Sequence, residues 1–551
     1  MPNVKSPVSR ILNLLKLERT EITAVYFYAI LNGLIQLSLP VGVQAIIGYV
    51  LGASMRASLV VLITLVVLGV LIAGIMQINQ MKIIEKIQQK LFVRYSFAFA
   101  EHIPNLDLKR NDAVYLPELV NRFFDVPLLQ KSLSKILLEI PTAVIQILFG
   151  LLLLSFYHPA FILFGVILVT ILLLILKYTG GKGLETSLQK SKHKYKVAAW
   201  LEESARVIKS IKLGKNNNFH LQKADAEISN YLVARNNHFK VLLLQFNVLV
   251  IFKTVITAAM LIVGTLLMVN QQLTIGQFIA AEIVILLVLN SVEKLIINLS
   301  SVYDTLTAVE KAAEITDRPV EKGGTVNLRA ENKGVKFQMK DVSFSYNNEK
   351  EILKNISLNF KPNEKICIQG KDSSGKSTLL KLMTGSYTDF KGSVMIDDVP
   401  IGNYNLDSLR SLTGVLLNQQ DIFQGTLWEN IALGNSEVSL DIVKECATKV
   451  GLNDFIATLK DGYDTPLDPT GKRLPRNVIN RILLVRALAS KPRLLLLEEP
   501  WVNSNNNHRQ QIMSFLHELK NTTLVVVSND EEFAKQCDRV IIMDENGTIK
   551  N

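Results

Sequence analysis

The sequence of 551 residues contains six long apolar runs, all of them in its first three hundred residues. A bilayer core about 30 Å thick requires about 20 apolar residues in helical form, and each run has about that length. Such runs form helices in a membrane because a helix satisfies every backbone N–H and C=O within one segment. The runs that we predict to span a membrane are residues 22–48, 57–78, 134–157, 160–178, 241–268 and 274–298.

Lysine and arginine lie mainly on one side of these predicted spans. The N-terminal segment and the connections after the second and fourth spans are rich in both, whereas the turns at 155–159 and 270–273 have neither and the first turn has only Arg56. Cytoplasmic loops carry this excess of positive charge, next to anionic lipid. We therefore predict that both termini face the cytoplasm. We assign the formal net charge of +11 to the membrane surface and not to nucleic acid.

Two connections between spans are rich in helix-forming residues and poor in glycine and proline, namely 81–101 and 190–240. This composition predicts that the spanning helices continue into the cytoplasm. We expect a short transverse helix at each of two breaks, near 111–124 and 204–217. Such projections would carry motion between the two halves of the chain. The alternative is a solvated hairpin with no mechanical role.

Three ionisable residues lie inside the predicted spans or near an end of one: Lys253, Glu282 and Glu139. Ionisable residues at membrane depth are costly and are commonly functional. Lys253 and Glu282 would either pair with each other or line a polar path for cargo. The alternative is that Glu139 lies at the membrane interface and that Lys253 snorkels toward water.

The second half of the chain contains the stretch Gly370–Thr378, which fits the phosphate-loop pattern G-x-x-x-x-G-K-[ST]. The preceding run 365–369 predicts a buried strand, and the following run 378–383 predicts a helix. A strand, a glycine turn and a helix start surround an anion with backbone N–H groups and the positive helix end. Lys376 would reach the terminal phosphates of a nucleoside triphosphate, and the Ser377 hydroxyl would hold Mg²⁺.

The sequence becomes polar between about 316 and 334, where it contains proline and glycine. Beyond this segment strand-like runs alternate with helical ones, which predicts an α/β domain with a largely parallel sheet. The expected fold is an α-helical six-span transmembrane bundle followed by a cytoplasmic α/β P-loop nucleotide-binding domain. We therefore divide the chain into a transmembrane domain (1–315), a linker (316–334) and a nucleotide-binding domain (335–551).

Polar residues follow four apolar runs of this second half, at the points where the predicted strands end. Ligands of open α/β sheets bind at the carboxyl ends of the strands, so these residues should converge on the phosphates. Glu498 would hold the water shell of Mg²⁺, and Glu499 would orient an attacking water. The four polar sites are the phosphate loop, Asn418 with Gln419, Glu498 with Glu499, and Ser528 with Asn529.

These motifs resemble those of ATP-binding cassette (ABC) exporters of the six-helix half-transporter kind, along nearly the whole chain. The resemblance identifies Gly370–Thr378 with the Walker A loop, Leu494–Glu499 with Walker B, and Tyr346 with the aromatic residue that stacks on adenine. Tyr346 by itself is equally typical of an ordinary strand. The nucleotide-binding positions that the resemblance implies are Tyr346, Gly370, Ser373, Ser374, Gly375, Lys376, Ser377, Thr378, Asn418 and Gln419.

The resemblance also implies partners. Two half-transporter chains dimerise, either identical or different, and each ATP lies between the Walker A loop of one chain and the signature motif of the other. Closing and reopening would alternate the membrane cavity between inward and outward access. Pro141 and the turn at 156–159 are faintly similar to the type I secretion (haemolysin-exporter-like) branch, in which a periplasmic adaptor is a partner. That branch often has an N-terminal peptidase-like domain, for which we expect no room here.

The signature motif is the largest departure from the family. The family pattern Leu-Ser-Gly-Gly-Gln offers a hydroxyl and open backbone N–H groups to the γ-phosphate of the partner chain. Pro475 has no N–H, and neither glycine remains to let the backbone approach closely. Arg476 would either supply charge to the phosphate or obstruct it. The motif here consists of Leu474, Pro475, Arg476, Asn477 and Val478.

Other catalytic positions differ as well. The catalytic residues that the resemblance implies are Glu499 and, in place of the switch histidine, Asn529. The Q-loop glutamine aligns with Asn418, and the Walker B aspartate is Glu498, one methylene longer. Losing one phosphate donor can cost about 10²–10³ in rate. We therefore expect ATP and Mg²⁺ to bind and hydrolysis to be much weakened.

The sequence as a whole predicts an ATP-binding exporter subunit of the inner cell membrane, which works by alternating access and hydrolyses ATP weakly or with assistance. Its expected partners are a second half-transporter chain, the lipid bilayer and a periplasmic adaptor, but no nucleic acid. The alternative is a non-hydrolysing, nucleotide-sensing or scaffolding membrane subunit of a larger transport or secretion complex. The choice between homodimer and heterodimer stays open, and so does the cargo.

Overall fold

The computed structural model describes residues 6–51, 56–112, 114–214, 218–346, 350–418 and 420–550. The chain divides into two compact units. The first contains the chain up to Pro104 together with Val114–Arg318, and the second contains Asn105–Ala113 together with Pro319–Asn551.

The first unit is helical wherever secondary structure is described, apart from short turns and connections. In chain order, the helices before the second unit's main part are α1 (Pro7–Leu17), α2 (Arg19–Gln36), α3 (Ser38–Leu51), α4 (Arg56–His102), α5 (Leu108–Asn111), α6 (Leu116–Val120), α7 (Asp125–Tyr157), α8 (Ala160–Arg206), α9 (Ile208–Leu213), α10 (Phe219–Val269) and α11 (Ile275–Thr316). Of these, α5 belongs to the second unit.

Six helical segments in the described residues are long and apolar enough to cross a membrane. Five of the six predicted spans fall within one of them and the sixth, 274–298, begins one residue before its helix, so the prediction of a six-span bundle is confirmed. The four longest helices, α4, α8, α10 and α11, have 42 to 51 residues, which at 1.5 Å per residue is about 60–75 Å. They are therefore much longer than a bilayer core, as expected from the composition of the connections.

The first span differs from the prediction because it is interrupted. Helix α2 ends at Gln36 and α3 begins at Ser38, with Leu37 between them. Pro40 accounts for the break, since a proline ring clashes with the carbonyl four residues earlier, here that of Gln36. Pro141 lies inside α7 without ending it, as membrane helices often tolerate.

Buried polar side chains connect the helices of the membrane region. Ser291 on α11 donates a hydrogen bond to Gln146 on α7 (2.8 Å), and Gln146 in turn donates to Gln36 on α2. Gln36 donates to Asn32 one turn earlier (3.0 Å). Interhelical hydrogen bonds of this kind hold membrane helices together where burial of apolar surface gives no driving force.

The predicted pairing of Lys253 with Glu282 is wrong. Lys253 on α10 forms an ion pair with Glu293 on α11 (2.9 Å), and Glu139 on α7 accepts a hydrogen bond from Asn298 (2.6 Å). The reason is the register of the helical hairpin: Lys253 and Glu293 lie similar distances along the chain from the turn at 270–274, whereas Glu282 lies much closer to it.

The second unit contains two main sheets. A six-stranded sheet has the order β12-β11-β3-β10-β9-β6, and a four-stranded antiparallel sheet has the order β2-β1-β4-β5. The strands are β1 (Phe337–Phe344), β2 (Leu353–Phe360), β3 (Lys365–Gly370), β4 (Lys391–Ile396), β5 (Val399–Pro400), β6 (Thr413–Leu416), β7 (Gly425–Thr426), β8 (Pro466–Leu467), β9 (Leu494–Glu498), β10 (Thr523–Val527), β11 (Arg539–Met543) and β12 (Ile549–Lys550).

Besides α5, the described residues of this unit contain eight further α-helices. They are α12 (Lys376–Met383), α13 (Leu406–Ser411), α14 (Leu427–Ala432), α15 (Leu440–Lys449), α16 (Asn453–Ala457), α17 (Arg476–Ala489), α18 (Asn506–Glu518) and α19 (Glu531–Ala534).

The six-stranded sheet is parallel except for β12, as the alternation of strands and helices predicted. Its central strands are buried on both faces, which explains their continuous apolar runs. Along β9, Leu494 and Leu496 pack into one hydrophobic cluster, whereas Leu495 and Leu497 pack into another. The antiparallel sheet was not predicted, because β1 and β2 lack a short turn signal between them.

The segment before β1 is held in place by Arg493, which precedes β9 and is 3% exposed. Its guanidinium donates hydrogen bonds to the carbonyls of Lys333 (2.7 Å) and Arg329 (2.8 Å). It also forms an ion pair with Asp397 (2.9 Å). One buried cation therefore joins the end of the linker to both sheets.

We expect Arg493→Met to lower the thermal unfolding midpoint of the second unit by about 10 °C. Removing one partner of a buried ion pair costs about 3–5 kcal/mol, and each kcal/mol corresponds to about 2–4 °C in a domain of this size. Differential scanning calorimetry of the detergent-purified protein measures the shift. The control is Lys336→Met, whose exposed ion pair with Asp398 (2.7 Å) contributes about 1 kcal/mol at most. Equal shifts in both variants would contradict the role of Arg493.

Candidate nucleotide-binding site

The phosphate loop connects β3 to α12 and depends on two glycines with positive φ. Gly370 has φ +155° and Gly375 has φ +93°, and a Cβ at Gly370 would lie 2.6 Å from the Met543 carbonyl oxygen. Ser373 also adopts a left-handed conformation, with φ +65°. A non-glycine residue is strained there, which explains why the family usually has a glycine at this position.

Lys376 is the first residue of α12, and its side chain lies across the loop. Its ammonium donates hydrogen bonds to the carbonyls of Gly370 (2.6 Å) and Lys371 (2.7 Å). Phosphate oxygens would replace these neutral acceptors with charged ones, and charge-assisted hydrogen bonds are the stronger kind. The phosphate loop is therefore preformed around the Lys376 ammonium, which a triphosphate would contact.

Glu498 ends β9 with its carboxylate buried, 7% exposed. One carboxylate oxygen accepts a hydrogen bond from the Ser377 hydroxyl, and the other accepts from the backbone N–H of Asn418 (2.9 Å). A carboxylate beside a hydroxyl is the oxygen donor set that Mg²⁺ prefers. Ser377 and Glu498 therefore fit the metal that accompanies a nucleoside triphosphate.

Glu499 lies next to this pair in a strained conformation, with φ +45°. Its backbone N–H donates to the Val527 carbonyl (2.9 Å), and its carboxylate accepts from the Ser528 hydroxyl (3.1 Å). Burial raises the pKa of Glu499 above the ordinary value, although the Ser528 hydrogen bond acts in the opposite direction. A half-buried carboxylate with a raised pKa is suited to accept a proton from water.

Asn529 follows Ser528 at the end of β10. Its side-chain oxygen accepts a hydrogen bond from the Gly370 backbone N–H (3.0 Å). The side chain is thus bound to the first residue of the phosphate loop. It offers a neutral amide where the family has an ionisable imidazole.

A cavity of about 410 Å³ brings most of the predicted site residues together. Gly370, the first residue of the loop, does not line the cavity, and Gln419 lies outside the described residues. Ile352, Asp372 and Val527 line the cavity but were not predicted. The predicted residues that do line it are Tyr346, Ser373, Ser374, Gly375, Lys376, Ser377, Thr378, Asn418, Glu498, Glu499 and Asn529.

Tyr346 lies two residues beyond β1, at the side of this cavity. Its hydroxyl is hydrogen-bonded to that of Thr378 (3.1 Å), and its ring contacts Tyr387 edge-on, with centroids 5.8 Å apart. Phe344 packs against both rings. Lys109 in α5 places its ammonium nitrogen 5.0 Å from the centroid of the Phe344 ring and forms an ion pair with Asp389. Sequence reasoning missed this aromatic group because no motif marks Tyr387 or Phe344.

The signature residues Leu474, Pro475, Arg476, Asn477 and Val478 are not among the residues that line the cavity. Pro475 caps the start of α17 without a side-chain hydrogen bond. Arg476 instead contacts its own chain, donating to the Asn418 carbonyl (3.3 Å). It also approaches Asp421 (3.9 Å). Within one chain, the signature segment therefore borders the residues that follow β6.

Two family models match the sequence: "ABC transporter" over residues 353–502 and "ABC transporter transmembrane region" over residues 22–292. The ATP-dependent lipid A-core flippase of Saccharophagus degradans is 32% identical over 44% of this chain and 42% of its own length. The alpha-hemolysin translocation ATP-binding protein HlyB of Escherichia coli O157:H7 is 29% identical over 64% of this chain and 51% of its own length. The chain thus aligns with about half the length of each.

A solved structure of a bacterial Atm1-family ABC exporter with ATP bound matches this fold with a TM-score of 0.80. The match covers 97% of this chain and 94% of that one, at 17% sequence identity. At this identity the likeness shows the fold alone. Together with the six apolar helices, the comparisons indicate a multi-pass membrane protein.

We expect Lys376→Ala to weaken ATP binding by at least about 100-fold, because two or more charge-assisted hydrogen bonds of about 1.5–3 kcal/mol each would be lost. Fluorescence titration of the purified protein with a labelled ATP measures the affinity. The matched control is Lys371→Ala, since that side chain forms an exposed ion pair with Glu545 (2.5 Å). An unchanged affinity in Lys376→Ala, or an equal loss in both variants, would refute the site.

We expect any ATP turnover by this site to fall as the pH is lowered through the raised pKa of Glu499, because only the ionised carboxylate accepts a proton. Ser528→Ala removes a hydrogen bond that favours the ionised form, so the acidic limb of the pH–rate profile should move to higher pH. Single-turnover measurements from pH 5 to 8 give the profile. A limb at the same pH in both proteins would contradict the assignment of Glu499.

Proposed function

Because the chain belongs to the ABC transporter family, we propose that it is a half-transporter subunit of an exporter and that ATP binding drives its alternating access. The observation that carries this proposal is the cavity at the carboxyl edge of the six-stranded sheet. There Lys376, Ser377, Glu498 and Glu499 converge beside a preformed phosphate loop. The proposed division of the chain remains a transmembrane domain (1–315), a linker (316–334) and a nucleotide-binding domain (335–551).

In the proposed site the triphosphate binds to the loop N–H groups and to Lys376, and Tyr346 contacts the base. Ser377 and Glu498 hold Mg²⁺, which when bound neutralises charge on the terminal phosphates. Glu499 orients a water and accepts its proton. Asn529 contributes a neutral hydrogen bond only, since an amide cannot become cationic.

We propose that hydrolysis is slow because the signature segment is a poor phosphate ligand. Pro475 has no N–H to donate, and Arg476 is bound to residues of its own chain. Two chains of this kind, or this chain with a different one, would form the two composite sites. In either arrangement each site keeps at least one defective part.

The proposed location is the inner cell membrane, with both termini and the nucleotide-binding domain in the cytoplasm, since the basic connections lie on that side. A periplasmic adaptor is a further proposed partner, because the chain is similar to HlyB, an alpha-hemolysin translocation protein. The second candidate function, a subunit that binds ATP without hydrolysing it, is favoured by Pro475, which has no N–H to donate, and by Asn529, which cannot become cationic. Nucleotide binding would then act as a signal within a larger complex.

We expect Glu499→Gln to reduce ATP turnover of the protein in lipid vesicles by about 10²-fold, or to background, because a general base contributes at least that much. ATP affinity should stay within a few-fold of the wild type, because the amide is of similar size and does not bind the phosphates. Phosphate release and labelled-ATP titration measure the two quantities on the same sample. Equal turnover in wild type and Glu499→Gln, with tight binding in both, would favour the non-hydrolysing subunit.

A further inference from the structure

Helix α17, whose first turn belongs to the altered signature segment, is fixed against the segment that follows β6 in the same chain. Arg486 on this helix donates a hydrogen bond to the Asn430 carbonyl (2.6 Å), and Asn430 is completely buried. Near the start of the helix, Val478 and Ile479 pack into the same hydrophobic cluster as Ile422. The first residue of α17 therefore has a defined position relative to the residues that follow β6.

That first residue is Arg476, which lies one contact away from the nucleotide cavity of its own chain. Its guanidinium donates a hydrogen bond to the Asn418 carbonyl (3.3 Å), and Asn418 lines the cavity. The backbone N–H of Asn418 in turn donates to the Glu498 carboxylate (2.9 Å). Because the dimensions of one residue's backbone are fixed, these contacts place the Arg476 Nη2 atom within about 10 Å of that carboxylate.

Most hydrogen-bond donors of Arg476 are unused. A guanidinium has five N–H donors. One of them bonds to Asn418, and the nearest carboxylate oxygen, on Asp421, is 3.9 Å away, beyond hydrogen-bond distance. The side chain makes no further polar contact with the part of the chain that the structure describes, and it is 46% exposed. Arg476 is therefore a cation without a close anionic partner, at the border of a site for an anion.

This border lies at the end of the cavity where the terminal phosphate would bind. Ser377 donates a hydrogen bond to Glu498, and the two fit the Mg²⁺ that bridges the last two phosphates. Asn418 is bound to the same carboxylate, so Arg476 lies next to this end. A guanidinium binds phosphate oxygens through two parallel charge-assisted hydrogen bonds, which are stronger than its present bond to a neutral carbonyl.

We propose that Arg476 contacts the terminal phosphate of the ATP bound to its own chain, and that this contact makes the site prefer ATP to ADP. The proposal rests on the proposed nucleotide site and adds to it a ligand from the same chain. ADP lacks the terminal phosphate, so Arg476 stays on the Asn418 carbonyl when ADP is bound. The altered signature segment thus serves its own chain, whereas the family pattern places that segment against the nucleotide of the partner chain.

The first test compares two nucleotides on the full-length protein in phosphatidylcholine nanodiscs. Fluorescence titration with a labelled non-hydrolysable ATP analogue and with labelled ADP, both with Mg²⁺, measures the two affinities. We expect Arg476→Gln to weaken binding of the ATP analogue by about 10-fold or more, because a charge-assisted hydrogen bond is lost, and to leave ADP binding unchanged. The control is Arg473→Gln, which should bind both like the wild type, since that side chain is 87% exposed and pairs with Asp468 (3.1 Å).

The second test uses two copies of the chain with different affinity tags, to decide whether Arg476 acts within its own chain. One copy carries Lys376→Ala and the other Arg476→Gln, and the pair is purified through both tags. Only the second copy keeps an intact phosphate loop. We expect it to bind the ATP analogue as weakly as Arg476→Gln alone, although its partner has an intact Arg476. Binding of wild-type strength would assign Arg476 to the nucleotide of the partner chain and overturn the proposal.

If the two copies do not copurify, the loss measured in Arg476→Gln alone assigns the contact to one chain, because no second copy is present. An equal preference for ATP over ADP in the wild type and in Arg476→Gln would overturn the proposal. Equal losses of both nucleotides in Arg476→Gln would do so too, since they would indicate altered structure around Asn418. Wild-type protein that binds neither nucleotide would instead refute the proposed nucleotide site itself.

Discussion

The buried carboxylate of Glu498 joins the three segments that form the nucleotide site. It accepts hydrogen bonds from Ser377 in α12 and from the backbone of Asn418 after β6, while its own backbone belongs to β9. The parallel register makes this possible, because Val527 lies opposite both Ile368 of β3 and Glu498 of β9. The apolar runs of β3, β9 and β10 are therefore aligned, and the polar residues that end or follow them lie at one edge of the sheet. The position of Glu499, Ser528 and Asn529 follows from the same register.

The membrane half obeys a different constraint, since its surroundings offer apolar contact to every side chain. Apolar burial cannot choose between helix pairings there, so hydrogen bonds and small residues do so. The bonds that join Gln36, Gln146 and Ser291 are of this kind. Gly150 is another case, because a Cβ at this position would lie 2.6 Å from a methyl carbon of Val288.

Much of this fold could be predicted from the sequence because its signals are local. Span length, the excess of basic residues in alternate loops, and apolar runs that end in polar residues each depend on a few neighbouring positions. The predictions that were wrong or absent depend on register between distant segments. The Lys253–Glu293 pair follows from the alignment of two long helices, and the bond from the Asn418 backbone to Glu498 involves no side chain of Asn418. The hydrogen bonds from Arg493 to the backbone carbonyls before β1 are likewise not marked by any sequence motif.

The account as a whole claims that a triphosphate binds at the carboxyl edge of the six-stranded sheet although the signature segment is altered. A cryo-electron microscopy structure of the protein with Mg²⁺ and a non-hydrolysable ATP analogue tests this claim most directly. We expect the Lys376 ammonium to leave the carbonyls of Gly370 and Lys371 and to contact the terminal phosphates. The metal should lie about 2.1 Å from the Ser377 hydroxyl oxygen. Nucleotide bound elsewhere, or a phosphate loop unchanged with Lys376 still on its own carbonyls, would contradict the claim.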